Sequence, residues 1–107
     1  MNNNRLTQLL KFHEEDPEDA FTIYAIGLEY IKSDLHKALH YLERLYNEFP
    51  RYLAGYYHLA ALYVELGELK KAENLYREGI RLAKELNDNH TLKELNNAYN
   101  TLKYDDM

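Results

Sequence analysis

Residues 16–50 read DPEDAFTIYAIGLEYIKSDLHKALHYLERLYNEFP, and residues 50–86 read PRYLAGYYHLAALYVELGELKKAENLYREGIRLAKEL. Laid over each other, they are two copies of one pattern. Gly27 falls on Ala60 and Tyr30 on Tyr63, each 33 positions apart (60 − 27 and 63 − 30). Ala38 falls on Ala72 and Leu42 on Tyr76, now 34 apart (72 − 38 and 76 − 42). The offset changes inside IKSDLHKA against VELGELKKA, where the first copy is one residue shorter. A deletion confined to a turn is what loops tolerate.

Each copy reads as a helical hairpin. Ile23, Ile26, Gly27 and Tyr30 recur at the i, i+3, i+4, i+7 spacing of one helical face, and Tyr56, Leu59, Ala60 and Tyr63 repeat it. The second helices carry Ala38, Leu42 and Leu45, then Ala72, Tyr76 and Gly79. No stretch alternates as a strand would. Breaks fall at Asp16-Pro17, Ser33-Asp34, Pro50, Gly67 and Asn87-Asp88-Asn89. Asp16 is expected to cap the helix that follows it, with Pro17 in the first helical position, and Ser33 or Asp34 to cap the next.

Antiparallel helices joined by a short turn approach to roughly 8–10 Å, so only small side chains fit where the axes cross. Gly27 is therefore expected opposite Ala38, and Ala60 opposite Ala72. A glycine inside a helix costs about 1 kcal/mol relative to alanine and needs such a packing reason. Tyr30 and Tyr63 are expected to bury their rings while their hydroxyls reach polar groups near the hairpin end.

The order large-x2-Leu/Ile-Gly/Ala-x2-Tyr, then Ala-x3-large, then Pro, at a period near 34, resembles the tetratricopeptide repeat. The resemblance covers about residues 20–86. Two departures stand out: neither copy has tryptophan in its first position, and Lys84 stands where the first copy has Pro50. Without that proline the second copy's second helix is expected to run on by about another turn. The flanks resemble half-repeats. Leu6, Leu9, Phe12 and Pro17 lie 33 before Leu39, Leu42, Leu45 and Pro50 (39 − 6, 42 − 9, 45 − 12 and 50 − 17). Leu92, Leu95, Asn96 and Tyr99 repeat the order of a first helix, and Lys93, Glu94, Asn97, Asn100 and Lys103 around them supply the polar outer face of a terminal element. The resemblance thus implies an all-α fold, a right-handed α-solenoid of antiparallel hairpins with about six helices. Residues 1–107 are expected as a single domain: an N-terminal half-repeat helix at 3–15, repeats at 20–52 and 53–86, and a C-terminal capping helix at 89–104.

Composition narrows the function. The chain has 107 residues, 46% of them hydrophobic and 29% charged, with a formal charge of −5. An acidic balance argues against duplex nucleic acid, whose affinity comes mainly from cationic contacts to phosphate. No apolar run approaches the roughly 20 residues of a membrane span. The N-terminal MNNNRLTQLLKFHEED has no apolar signal core, and a cytoplasmic protein standing alone, without nucleic-acid or membrane partners, is expected. Cysteine is absent, which removes thiolate metal sites and cysteine nucleophiles. His36 and His40 stand i, i+4 on a helix, a metal-binding spacing, but no carboxylate follows them on that face and solvated side chains are expected. Glu14-Glu15-Asp16 and Asp105-Asp106 read as solvated charge. Phosphate loops and the GxSxG and HExxH motifs are missing. No enzyme, no metal and no cofactor is expected.

The resemblance puts first helices on a concave face. Carried over position by position, its groove residues are Phe21, Tyr24, Leu28, Ile31 and Lys32, then Ala54, Tyr57, His58, Ala61, Val64 and Glu65. The family's clamp for a partner's terminal carboxylate uses lysine and asparagine, and Tyr24, Leu28 and His58 stand in the corresponding places, so that mode is not expected. The set is apolar and aromatic, which suits an apolar helix or extended segment of a partner protein. The alternatives are that a second copy mates with this face or with a terminal helix, giving a self-assembling module, or that the chain's own last helix covers it.

Overall fold

The computed structural model describes residues 4–105, and Asn3 and Asp106 lie outside them. Among the described residues there are six helices and no strand: α1 (Asn4–Glu15), α2 (Ala20–Ile31), α3 (Leu35–Glu48), α4 (Ala54–Glu65), α5 (Leu69–Glu85) and α6 (Asn89–Asp105). The contacts divide the chain into two compact units between Tyr52 and Leu53. In the first, α1 packs on α2 and α2 on α3. In the second, α4 packs on α5 and α5 on α6.

The spacing rules place the core. In the first unit Ile23, Ile26, Ala38, Leu42 and Leu45 are fully buried, with Leu9 of α1 sealed against Ala25 and Ile26. In the second, Tyr56, Leu59, Ala60 and Tyr63 are buried together with Ala72, Leu75, Tyr76, Leu82, Ala83 and Leu95. The glycine contact differs from expectation by one turn. A Cβ on Gly27 would stand 2.8 Å from Leu42 Cδ2 and 2.9 Å from its Cγ, so Leu42 rather than Ala38 fills the notch. Helical side chains lean toward the N-terminus of their own helix, so Leu42 covers the surface beside Ala38. Gly79 makes a second notch, where a Cβ would stand 3.0 Å from Tyr56 Cβ on α4 and 3.2 Å from Leu95 Cδ1 on α6.

The helix ends follow from short-range chemistry. Gly67, at φ 82°, closes α4: its N–H donates to the Val64 carbonyl at 3.0 Å and the Glu68 N–H to Tyr63 at 2.8 Å. Asn87, at φ 57°, closes α5 in the same double-bonded way, onto Lys84 at 3.2 Å and, through Asp88, onto Ala83 at 3.0 Å. The shorter α2–α3 turn has no left-handed residue, because the deleted position is the one Gly67 occupies. As expected from the missing proline, α5 is longer than α3, 17 residues against 14. Asp34 caps α3, accepting from the Lys37 N–H at 3.2 Å.

One expectation at the α1–α2 junction is corrected. Asp19, not Asp16, caps α2: its carboxylate accepts from the Thr22 N–H at 3.3 Å and the Thr22 hydroxyl at 2.5 Å. Asp19 directly precedes the first helical residue and has a threonine three positions on, whereas Pro17 lies in the turn before it. Asp88 and Thr91 repeat this Asp-x-x-Thr pairing at the start of α6. Those bonds hold the Asp88 carboxyl below its usual range. Phe12 shares a stripe with buried Leu9 but is itself 55% exposed.

Both units use one further device. Lys37 Nζ stands 5.4 Å from the Tyr30 ring centre and Lys71 Nζ 5.5 Å from that of Tyr63. The paired positions are equivalent in the two repeats, so each hairpin is pinned near its turn by a cation on a half-buried or buried ring. Tyr30 also stacks on Tyr41 at 5.8 Å.

Candidate functional site

Of the sequence-derived groove residues of the first unit, Phe21 and Tyr24 form an aromatic cluster with Tyr52. Tyr24 is half-buried, 6.5 Å from exposed Phe21 and 5.4 Å from Tyr52 between ring centres. Burial, then the neighbouring Tyr24 and Asp19, pushes the Tyr52 hydroxyl up. Leu28 and Ile31 are half-buried, and exposed Lys32 lies beside Glu29 at 3.4 Å.

In the second unit, Tyr57, Ala61 and Val64 stand at i, i+4, i+7 on α4 and line one cleft of about 430 Å³. Its other walls are Leu69 and Tyr76 of α5 and Ala98, Thr101 and Leu102 of α6. Val64 is 37% and Leu69 40% exposed, so α6 forms a wall of this cleft and not its cover. Tyr57 meets Tyr76 edge to face at 6.5 Å and His58 at 5.4 Å. Burial, then Tyr57, raises the Tyr76 hydroxyl, so this phenol keeps its proton and can donate. Ala54 and His58 are half-buried on the same helix, and Glu65 is exposed in its last turn. The α5 and α6 walls escape sequence inspection: Tyr76 sits at a core position, and the spacing of Leu95, Ala98 and Leu102 was their only signal.

His58 gives this site a pH signature. Burial pushes its imidazole below the ordinary histidine range, with the Glu94 carboxylate pulling the other way. The folded state therefore resists the proton that the unfolded chain accepts. This unit should keep its full stability above the unfolded histidine pKa of 6.5 and lose some as pH falls below it. Melting curves of wild type and His58→Gln at about pH 7.5 and 5 test this in the window where histidine titrates. The wild type should lose more on acidification, and equal losses would mean that the burial of His58 is not felt.

His36 and His40 are both exposed, and His40 rests edge-on against Tyr41 at 5.3 Å. Among the described residues no three histidine, aspartate or glutamate side chains converge to hold a metal. No helix of the described residues is long and apolar enough to cross a membrane.

Comparison with known proteins gives the same architecture. A tetratricopeptide-repeat family model matches residues 31–94. The solution NMR structure of a tetratricopeptide repeat domain protein from Salinibacter ruber is 39% identical, with a TM-score of 0.77 over 81% of this chain and 89% of that one. A crystal structure of such a domain protein from Salinibacter ruber is 35% identical, again at 0.77, over 79% of this chain and 97% of that one. The solution structure of a Bordetella parapertussis protein, 19% identical, reaches a TM-score of 0.83 over 99% of this chain and 92% of that one and bears on the fold alone. No protein with a curated description matches. With more than half of its length matched by the family model, and a solved relative above one-third identity across most of it, the chain belongs to the tetratricopeptide-repeat family, whose members generally serve as non-catalytic scaffolds for protein–protein interaction.

Proposed function

We propose that this protein binds an apolar stretch of a partner polypeptide, a helix or an extended segment, through its first-helix surfaces. The observation that carries this reading is the open cleft between α4, α5 and α6, walled by two tyrosines and aliphatic side chains that remain exposed to water. Such a surface releases water when an apolar side chain enters it, and its tyrosine hydroxyls can fix the orientation of a ligand backbone. Phe21, Tyr24, Leu28, Ile31 and Lys32 supply a second partner-contacting surface in the same reading. The competing use is self-association, favoured by exposed Leu66 and Leu86.

The chain contains no tryptophan, so a tryptophan-bearing amphipathic peptide reports its own burial by fluorescence. Val64→Glu and Tyr57→Ala should each weaken its binding by roughly tenfold or more, as loss of a buried anchor does, with unchanged helical spectra. Binding that survives Val64→Glu would place the peptide elsewhere. Sedimentation of the protein at several concentrations addresses self-association: a monomer throughout removes it.

A further inference from the structure

From the α1–α2 junction we infer that the protein has a further recognition site, distinct from the α4–α6 cleft and sharing only Phe21 with the first-unit surface, for a basic segment that presents arginine beside an apolar side chain. A cavity of about 510 Å³ opens there between α1 and α2, within the size range of ligand pockets. Phe12 from α1 and Phe21 from α2 line it and are each 55% exposed. Leu9 and Thr22 line it too, and both are buried.

Charge selects the occupant. Residues 14–19 read EEDPED, and Glu15, Asp16 and Asp19 stand on the cavity wall. Asp19 is committed to capping α2 through Thr22. The single cation on the wall, Arg5, is already paired with Glu29 at 3.1 Å. Nearby Arg44 is taken by Glu18, Glu48 and the Pro17 carbonyl. Among the described residues no ion pair or side-chain hydrogen bond engages Glu15 or Asp16. Their position is also locally unfavourable. Glu14 and Glu15 occupy the last turn of α1, the negative end of the helix dipole, where cations are preferred. A sequence that breaks a local rule without an internal partner points to an external one.

An anionic ligand would be repelled, and a purely apolar one would strip water from two carboxylates and give nothing in return. A long cationic side chain satisfies both features: its hydrocarbon stem covers the phenyl rings while its head reaches the carboxylates. Arginine suits this better than lysine, because its planar guanidinium stacks on rings and pairs with carboxylate through two N–H donors.

The test uses the full chain and a short synthetic peptide alternating arginine and phenylalanine, with glutamate in place of arginine as the control. Amide NMR shifts report where it sits. The arginine peptide should move signals from Phe12 to Thr22, and its binding should weaken with added salt. Glu15→Lys with Asp16→Lys should reduce affinity by roughly tenfold or more, the loss typical of a charged contact removed. Phe12→Ser with Phe21→Ser should do likewise. Should the phenylalanine pair also disturb the helical spectrum, the charge-reversal pair decides, since both its residues are exposed. Val64→Glu should leave this binding unchanged, which separates it from the cleft. Equal binding of the glutamate peptide, undiminished binding by the charge-reversal pair, shifts confined to Ala98–Leu102, or no binding of the arginine peptide overturns the inference.

Discussion

Gly27→Val is expected to remove more than half of the stability of the α1–α3 unit. The added Cβ would stand 2.8 and 2.9 Å from Leu42 Cδ2 and Cγ, well inside ordinary contact, and valine adds two further methyl groups. Leu42 is fully buried, and in a close-packed interior moving it displaces its neighbours. Alanine at this position separates the opposing effects. It gains about 1 kcal/mol of helix propensity over glycine, while overpacking a close crossing typically costs about 1–3 kcal/mol, so Gly27→Ala should be mildly destabilising. The β-branched valine has less propensity to offer and more volume to place, and its net cost should exceed about 3 kcal/mol, at the top of that overpacking range. A unit of this size holds on the order of 5 kcal/mol in total at the usual stability per residue. Urea denaturation followed by helical signal measures it. Shortening the opposing side chain, as Leu42→Ala in the Gly27→Val background, should return part of the loss. A valine variant as stable as wild type would show that α2 and α3 can move apart freely.

Leu95→Ala should release α6 from the second unit, at a cost of about 2–5 kcal/mol, the range for a buried leucine truncated to alanine. Among the α6 residues whose side chains are described, Leu95 alone is buried, and it is fully so. Its methyl groups lie 3.2 and 3.4 Å from where a Cβ on Gly79 would be, so the glycine makes the hole that the leucine fills. Polar contacts also tie α6 down. Lys103 reaches Glu73 at 3.2 Å, and Arg77 donates to the Tyr99 hydroxyl at 3.2 Å while holding Glu73 at 2.7 Å. The Lys103 bond, first among several cationic neighbours, lowers the Glu73 carboxyl below its usual range. Ion pairs at such an exposed edge contribute little net stability, because solvent screens them and long side chains lose entropy in forming them. Lys103→Ala should therefore leave the melting temperature close to wild type while Leu95→Ala lowers it by many degrees. Loss of α6 also takes away Ala98, Thr101 and Leu102, the third wall of the cleft, so peptide binding should fall with the same variant. Fast amide exchange confined to α6 would identify undocking, and uniform exchange across residues 54–105 would mean that the unit unfolds as a whole.

How much of this was legible beforehand varies by residue. Two in-register copies of a helical face marked α2 to α5, since burial at i, i+3, i+4 and i+7 is a property of one helix and needs no knowledge of its neighbours. The turn chemistry of Gly67 and Asn87 was equally local, because a left-handed backbone at a helix end selects glycine or asparagine whatever lies nearby. The length of α5 followed from a missing proline for the same reason.

Other features required the packed molecule. Phe12 and Leu9 carry the same periodic signal, and only the placement of neighbouring helices makes one core and the other surface. The choice of Asp19 over Asp16 as the cap of α2, by contrast, is local, because Thr22 lies only three residues on. The cleft beside Tyr57 depends on how α6 is turned about its axis, which is set by Leu95 seating in the notch at Gly79. Periodicity determines which face of a helix is apolar, through contacts a few residues apart. Which neighbour meets that face, and what is left open beside it, comes from side-chain shapes meeting across dozens of intervening residues, and no window of sequence contains that information.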